Sequence, residues 1–259
     1  MSWLGLQGRT AVVTGAGGGI GQAICAALAT EGVRVILLDR DTDRAEEQAA
    51  RLGGGALALR CDLAKPDEVT EAAAQVDAEG GADILVNSAA ILRPGTLDTL
   101  SEADWSAMLA VNLTGYLTAS QAFGRGMLAR GRGALVHIAS ISGSQPQPAS
   151  GAYSASKAAT LMLSRQLAFE WGPRGVRSNC VSPGLVMTPM SAGFYADPEV
   201  RAKREAMVPL RRIATPDDMA DVALYLASDR AAYVTGQDIV VDGGLSQGLM
   251  GLVPRPGYA

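Results

Sequence analysis

Seven short apolar runs recur along the chain, and longer amphipathic stretches separate them. The runs cover residues 10–14, 33–38, 56–60, 83–86, 134–139, 176–182 and 238–241. Near-continuous apolar strands are typical of a parallel sheet that has helices on both faces, and the stretches between them are expected to be those helices. The pattern therefore predicts a doubly wound Rossmann-type α/β fold with seven strands in a mostly parallel sheet.

Two helix starts are indicated by capping residues. Ser101 with Asp104 three residues later forms one such signal, and the segment 215–218 combines Thr, Pro and two acids in the other. A length of 259 residues allows one domain or two. Because the alternation continues to the C-terminal end without a linker, repeat or charge block, we expect a single domain over residues 1–259.

Two segments and the C-terminal tail do not follow the alternation of predicted strands and helices. Residues 145–148 read Gln-Pro-Gln-Pro and are expected to form a loop, since neither proline suits a helix interior or a central strand. Residues 184–210 are long and partly apolar, which favours a lid over a ligand, with a surface helix packed on a neighbour as the alternative. The tail, 246–259, either packs on another subunit or frays.

Charge and cysteine content narrow the class of protein. The net charge is −4 with scattered basic residues, which argues against a nucleic-acid or acidic-membrane partner. No apolar run approaches the ~20 residues that span a bilayer, and the start does not resemble a signal peptide. Cys25, Cys61 and Cys180 lie far apart in apolar runs, so we expect buried reduced thiols, a cytoplasmic protein and no metal site.

A glycine-rich loop lies between the first predicted strand and the first predicted helix. Residues 14–21 read Thr-Gly-Ala-Gly-Gly-Gly-Ile-Gly. Gly15 allows a sharp turn, the glycines at 17–19 let a pyrophosphate approach the helix N-terminus, and Gly21 allows close packing of helix on strand. This loop predicts a dinucleotide site.

An acid follows the loop at the spacing expected for ribose recognition. Asp39 ends the second predicted strand, where its carboxylate can accept hydrogen bonds from an adenosine ribose and repel a 2′-phosphate. NAD is therefore favoured over NADP. Arg40 complicates the choice, because it could pair with a phosphate, stack on adenine or face water.

Tyr153 and Lys157 are four residues apart, which places them on one face of a helix. A neighbouring ammonium favours the phenolate and lowers the pKa of a phenol, so the pair suits general acid–base chemistry. His137, the only histidine, lies in mid-strand and is expected to be structural, which leaves no Ser-His-Asp arrangement.

Taken together, these features resemble the short-chain dehydrogenase/reductase family in its compact single-domain form. Further family motifs are matched in order: Asp62-Leu63, Asn87-Ser88-Ala89-Ala90, Asn112, Ser140 thirteen residues before Tyr153, Pro183-Gly184 with Thr188, and the segment 237–244. The chain departs from the family's NNAG pattern at Ser88 and Ala90, which we interpret as tolerated variation.

The resemblance implies a role for each residue of a proton relay. Tyr153 would exchange a proton with the substrate oxygen, Lys157 would lower the pKa of Tyr153 and bind the nicotinamide ribose, and Ser140 would orient the substrate oxygen. Asn112 would hold a water that connects Lys157 to solvent. The residues expected at the cofactor are Gly15, Gly17, Gly19, Ile20, Gly21, Asp39, Arg40, Asp62, Leu63, Asn87, Ala89, Tyr153, Lys157, Pro183, Gly184, Val186 and Thr188. Those expected at the substrate are Ser142, Gln147, Met187 and Phe194.

The function that follows is an NAD-dependent oxidoreductase acting on a secondary alcohol or ketone, with a resemblance to the branches that handle polyols and sugar-like alcohols. The alternatives are an NADPH-dependent 3-oxoacyl-carrier-protein reductase and a nucleotide-binding protein without turnover. The resemblance also implies a homotetramer in which helices near 101–130 and 152–171 pack across an interface.

Overall fold

The computed structural model describes residues 3–248 and residue 257. Its centre is one seven-stranded sheet. The strands are β1 Thr10–Thr14, β2 Arg34–Asp39, β3 Leu57–Arg60, β4 Ile84–Asn87, β5 Gly133–Ile138, β6 Val176–Pro183 and β7 Asp238–Val241. Their order is β3-β2-β1-β4-β5-β6-β7, and every pairing is parallel, which confirms the expected parallel sheet.

Helices cover both faces of the sheet. They are α1 Gly19–Thr30, α2 Thr42–Leu52, α3 Pro66–Ala78, α4 Glu102–Leu109, α5 Gly115–Arg130, α6 Tyr153–Trp171, α7 Pro198–Met207 and α8 Pro216–Ala227. Strand side chains alternate between two buried cores. Val13 packs in one core with Ile24 of α1 and Leu224 of α8, and Val12 packs in the other with Phe123 of α5. Burial on both faces explains why the strands are apolar throughout.

The two predicted helix starts are present. The Ser101 hydroxyl accepts a hydrogen bond from the Asp104 N–H at 3.1 Å, and Thr215 and Asp218 form a capping box at the start of α8. The predicted long helix near 101–130 consists of α4 and α5 joined by a π-helical segment, Ala110–Thr114. Asn112 lies in this segment and is buried, and the sequence does not show the π-helical turn.

The segment 184–210 is more ordered than a simple loop. It contains a 3-10 turn, Ala192–Tyr195, and α7, whose first turn is capped by Asp197. Residues 145–148 lie outside any helix or strand, as predicted. The tail begins with a 3-10 turn, Leu245–Gln247, but residues 249–256, 258 and 259 lie outside the described residues.

The buried cysteines were predicted, and Cys25, Cys61 and Cys180 are free and at most 4% exposed. Among the described residues, none of the helices combines the length and the apolar character that crossing a membrane requires.

Candidate active site

A cleft of about 920 Å³ opens at the carboxyl ends of the strands. Its walls come from the segments that follow β1, β2, β3, β4, β5 and β6, and it lies across the point where the strand order reverses between β1 and β4. Open α/β sheets bind their ligands at this position. Every residue predicted at the cofactor lines this cleft except Asn87, and Ser140, Ser142, Gln147 and Phe194 line it as well.

The glycine loop fits a pyrophosphate because its backbone leaves no room for side chains. A Cβ on Gly15, whose φ is +66°, would lie 2.6 Å from the Ala89 Cα, and a Cβ on Gly21 would lie 2.2 Å from the Gly15 carbonyl oxygen. Gly18 precedes α1, so no side chain caps the first-turn amides of that helix. A helix start with free amides beside a glycine turn is suited to a phosphate anion.

Asp39 is held in place by the same loop. One carboxylate oxygen accepts the Gly17 N–H at 2.9 Å and the other accepts the Asp41 N–H at 3.0 Å. Each oxygen keeps a further lone pair, so the carboxylate can also accept hydrogen bonds from a ribose. Arg40 and Arg44 line the cleft beside it. The residues present therefore fit an adenine dinucleotide.

Ser140 and Tyr153 meet in the cleft from two different elements. Ser140 follows β5, is 8% exposed, and accepts the Ser142 N–H at 3.1 Å. Tyr153 is the first residue of α6. Burial raises the pKa of Tyr153 above its ordinary value, and a hydrogen bond with Ser140 acts in the opposite direction. Burial is the larger of these two influences, and the expectation that Lys157 lowers the pKa of Tyr153 stays a prediction.

Lys157 is almost completely buried, with 1% exposed. Its Nζ donates to the Ile138 carbonyl at 2.7 Å and to the Tyr116 hydroxyl at 3.4 Å, and it lies 5.7 Å from the centroid of the Tyr153 ring. Burial lowers the pKa of Lys157 to about 7. Tyr116 was missed by the sequence analysis, although its position one helical turn after Asn112 is a signal that could have found it.

Both predicted asparagines are buried and do not line the cleft. The Asn112 amide bonds with the backbone of Ile91 in both directions, at 2.9 and 3.0 Å, and donates to Ser156 at 3.2 Å. Asn112 thus joins the segment after β4 to α6. The water that it is expected to hold stays a prediction.

Asn87 is buried in the core and does not line the cleft, and its predicted contact with the cofactor stays a prediction. Its Nδ2 lies 3.1 Å from His137 Nδ1 and donates to Ser120 at 3.3 Å. The other ring nitrogen of His137, Nε2, lies 3.1 Å from Ser178 Oγ, and burial lowers the pKa of His137 to about 3. His137 is therefore neutral and structural.

Three of the four residues predicted at the substrate line the cleft. Ser142 donates to Gln147 Oε1 at 3.0 Å, and Phe194 stands opposite on the segment 184–210. Met187 does not line the cleft, although its neighbours Val186 and Thr188 do, and its N–H donates to the Ala214 carbonyl at 2.9 Å. Arg204 and Met207 also line the cleft, and the sequence analysis missed both.

Within residues 3–248 and 257, no group of histidine, cysteine or acidic side chains could hold a metal ion. A dinucleotide cleft with a serine, a tyrosine and a lysine at one end defines a class, the nicotinamide-dependent oxidoreductases.

Comparison with known proteins identifies the family. A family model described as enoyl-(acyl carrier protein) reductase matches residues 15–246. The chain is 44% identical to galactitol 2-dehydrogenase (L-tagatose-forming) of Cereibacter sphaeroides, covering 92% of this chain and 95% of that protein. It is also 44% identical to D-threitol dehydrogenase of Mycolicibacterium smegmatis, covering 92% and 93% respectively.

Solved structures agree with this result. A gluconate 5-dehydrogenase from Burkholderia cenocepacia, in complex with NADP and tartrate, superposes with a TM-score of 0.90 at 33% identity, covering 94% of this chain and 97% of that one. The chain belongs to the short-chain dehydrogenase/reductase family, and it is an oxidoreductase of secondary alcohols.

Proposed function

We propose that the protein is an NAD-linked dehydrogenase of a polyol or sugar-like secondary alcohol. The observation that carries the proposal is the meeting of Ser140, Tyr153 and Lys157 in the cleft that also holds the glycine loop. The relatives named for galactitol and threitol support the polyol class. In this proposal one domain, residues 1–259, contains the cleft, and residues 184–210 form the lid over the substrate.

Tyr153 is the acid–base group in this proposal. Its phenolate accepts the proton of the substrate hydroxyl, and the Ser140 hydroxyl fixes the substrate oxygen next to it. The nicotinamide, when bound, supplies the hydride acceptor. Because burial raises the pKa of Tyr153, alcohol oxidation requires a positive charge nearby, and the Lys157 ammonium is the residue placed to provide it.

Substitution of Tyr153 by Phe tests the assignment. We expect Tyr153→Phe to lower kcat by at least about a thousandfold, while fluorescence titration shows unchanged affinity for NADH. Tyr233→Phe is the matched control, because Tyr233 is fully exposed. Substantial turnover by the Tyr153→Phe protein would remove Tyr153 from the mechanism.

The choice of NAD rests on Asp39. A carboxylate fixed at the ribose position repels the 2′-phosphate of NADP. The gluconate dehydrogenase structure contains NADP, and Arg40 and Arg44 border the same site, so the preference requires direct measurement. We expect a kcat/KM ratio of NAD over NADP of at least about ten. A ratio below one would favour the alternative, an NADPH-dependent 3-oxoacyl-carrier-protein reductase.

We further propose a homotetramer in the cytoplasm. Met162 and Phe169 of α6 are 59% and 86% exposed, and they lie on one face of that helix because they are seven residues apart. Apolar side chains so placed suit packing against a second copy. Three reduced, buried cysteines suit a reducing compartment. Light scattering that returns the mass of a monomer would contradict the assembly.

A further inference from the structure

The two ends of the cleft carry different charge. The acidic residues that line it, Asp39, Asp41 and Asp62, all follow β2 or β3, on one side of the sheet. On the other side, beside β5 and β6, the charged residues among the described lining are Lys157 and Arg204. Among the residues that the structure describes, the end of the cleft at which Tyr153 lies is therefore bordered by cations and by no acid.

Arg204 is held over the cleft by two aromatic rings. It lies on α7, and its guanidinium carbon is 5.3 Å from the centroid of the Phe194 ring and 5.3 Å from that of Tyr195. Stacking of this kind fixes a guanidinium without consuming all of its five N–H donors. Arg204 also opposes, by charge and hydrogen bonding, the rise in the Tyr195 pKa that burial causes.

No carboxylate pairs with Arg204 among the residues that the structure describes, although its helix offers acids. Arg201, one turn earlier, pairs with Glu205 at 2.9 Å and is exposed. Arg204 is partly buried and faces the cleft instead. A cation that loses solvent without gaining an acid is destabilising, unless a ligand supplies the anion.

The same end of the cleft offers partners for hydroxyl groups. Gln147 Oε1 accepts a hydrogen bond from Ser142 at 3.0 Å, which orients the amide. Its Nε2 makes no hydrogen bond within the described part of the chain and is free to donate. A donor for hydroxyls beside an unpaired guanidinium matches a ligand that has both hydroxyls and an anionic group.

We propose that the substrate is a polyhydroxy carboxylate whose carboxylate pairs with Arg204. This inference rests on the proposed dehydrogenase function and narrows its substrate class from polyols and sugar-like alcohols in general to those that carry a carboxylate. The guanidinium fork is suited to a bidentate bond with a carboxylate, while the hydroxyl to be oxidised lies at Tyr153. A neutral polyol of the same length lacks the anion and leaves Arg204 unpaired, so the cleft discriminates against it.

Matched pairs of aldonate and alditol test the proposal. The pairs are gluconate with glucitol, galactonate with galactitol, and threonate with threitol, each oxidised with NAD at fixed ionic strength. We expect kcat/KM to be at least tenfold higher for the acid of the best pair. Arg204→Gln should remove that preference through a rise in KM for the acid, with KM for NAD changed less than twofold. Arg204→Lys should keep part of it, and Arg201→Gln should keep all of it.

A binding measurement separates this proposal from the proposed function. Calorimetric titration of the protein with gluconate and with glucitol, both in the presence of saturating NADH, needs no turnover. Tighter binding of gluconate, lost in Arg204→Gln at an unchanged Tm, supports the proposal even if no alcohol is oxidised. Equal binding of both compounds, no binding of either, or equal weakening of both by Arg204→Gln overturns it. A rise in KM for NAD that exceeds the rise for gluconate also overturns it, because Arg204 would then serve the cofactor phosphates.

Discussion

The two ends of the cleft are built by different means. The end beside β1, β2 and β3 consists of glycine backbone, free helix amides and a carboxylate held by two backbone N–H groups. The end beside β5 and β6 consists of side chains from several elements, and two of them, Tyr153 and Lys157 of α6, are buried groups with displaced pKa values. The first end suits one invariable ligand, the dinucleotide. The second can be altered residue by residue, so it is where the substrate is selected.

The largest loss of cofactor binding at the first end is expected when a side chain is added within the glycine loop. In Gly21→Ala the new Cβ would lie 2.2 Å from the Gly15 carbonyl oxygen, which is backbone and cannot rotate away. We expect the Kd for NADH to rise at least about a hundredfold and the free energy of unfolding to fall by about 3 kcal/mol. Gly172→Ala is the control, since a Cβ there meets open space. NADH affinity within threefold of the wild type would show that the loop is not the phosphate site.

At the second end, the largest predicted effect after Tyr153 belongs to Ser140. Its hydrogen bond lowers the pKa of Tyr153 against the rise caused by burial, so Ser140→Ala should raise that pKa further. We expect kcat for alcohol oxidation to fall about a hundredfold, and the alkaline rise of the pH profile of kcat/KM to move to higher pH. The exposed Ser144 gives the control, Ser144→Ala. If kcat fell but the pH profile did not move, Ser140 would orient the substrate without lowering the pKa of Tyr153.

Much of the first end could be predicted from the sequence, because it is local. The glycine loop and Asp39 act through backbone that directly adjoins a strand, and apolar runs located the strands to within about two residues. The second end depends on tertiary contacts. Asn112 is buried in a π-helical segment, Asn87 contacts His137 in the core, and Arg204 lines the cleft from α7, which is far along the chain from Ser140 and Tyr153.

A smaller effect is expected on the choice between NAD and NADP, and it tests whether Asp39 at the first end determines that choice. Asp39→Asn keeps one oxygen acceptor and the shape of the side chain but removes the charge that repels a 2′-phosphate. We expect the ratio of kcat/KM for NAD to that for NADP to fall about tenfold, or ~1.4 kcal/mol, because Arg40 and Arg44 can then pair with the phosphate. Asp43→Asn, on the exposed surface of α2, should leave the ratio unchanged. An unchanged ratio in Asp39→Asn would assign the selection to other residues.

The smallest predicted effect is on the stability of the fold, which the buried lysine at the second end lowers. Lys157 is buried and its pKa falls from 10.5 to about 7, so the unfolded chain binds more protons than the folded one between these values. Stability therefore rises with pH over that range, and the penalty is complete only below about pH 7. We expect Lys157→Met to be inactive but more stable by about 1–3 kcal/mol at pH 6, with the gain disappearing towards pH 10.

Urea unfolding of the cofactor-free protein at pH 6, 8 and 9.5 measures this difference. The exposed Lys203 on α7 provides the control, because Lys203→Met should change stability by less than about 0.5 kcal/mol at every pH. A Lys157→Met protein that is less stable than the wild type at all three pH values would mean that the bonds from Nζ to the Ile138 carbonyl and to Tyr116 outweigh the cost of burial. Lys157 would then stabilise the fold as well as the reaction, and the two ends of the cleft would differ in chemistry but not in their effect on stability.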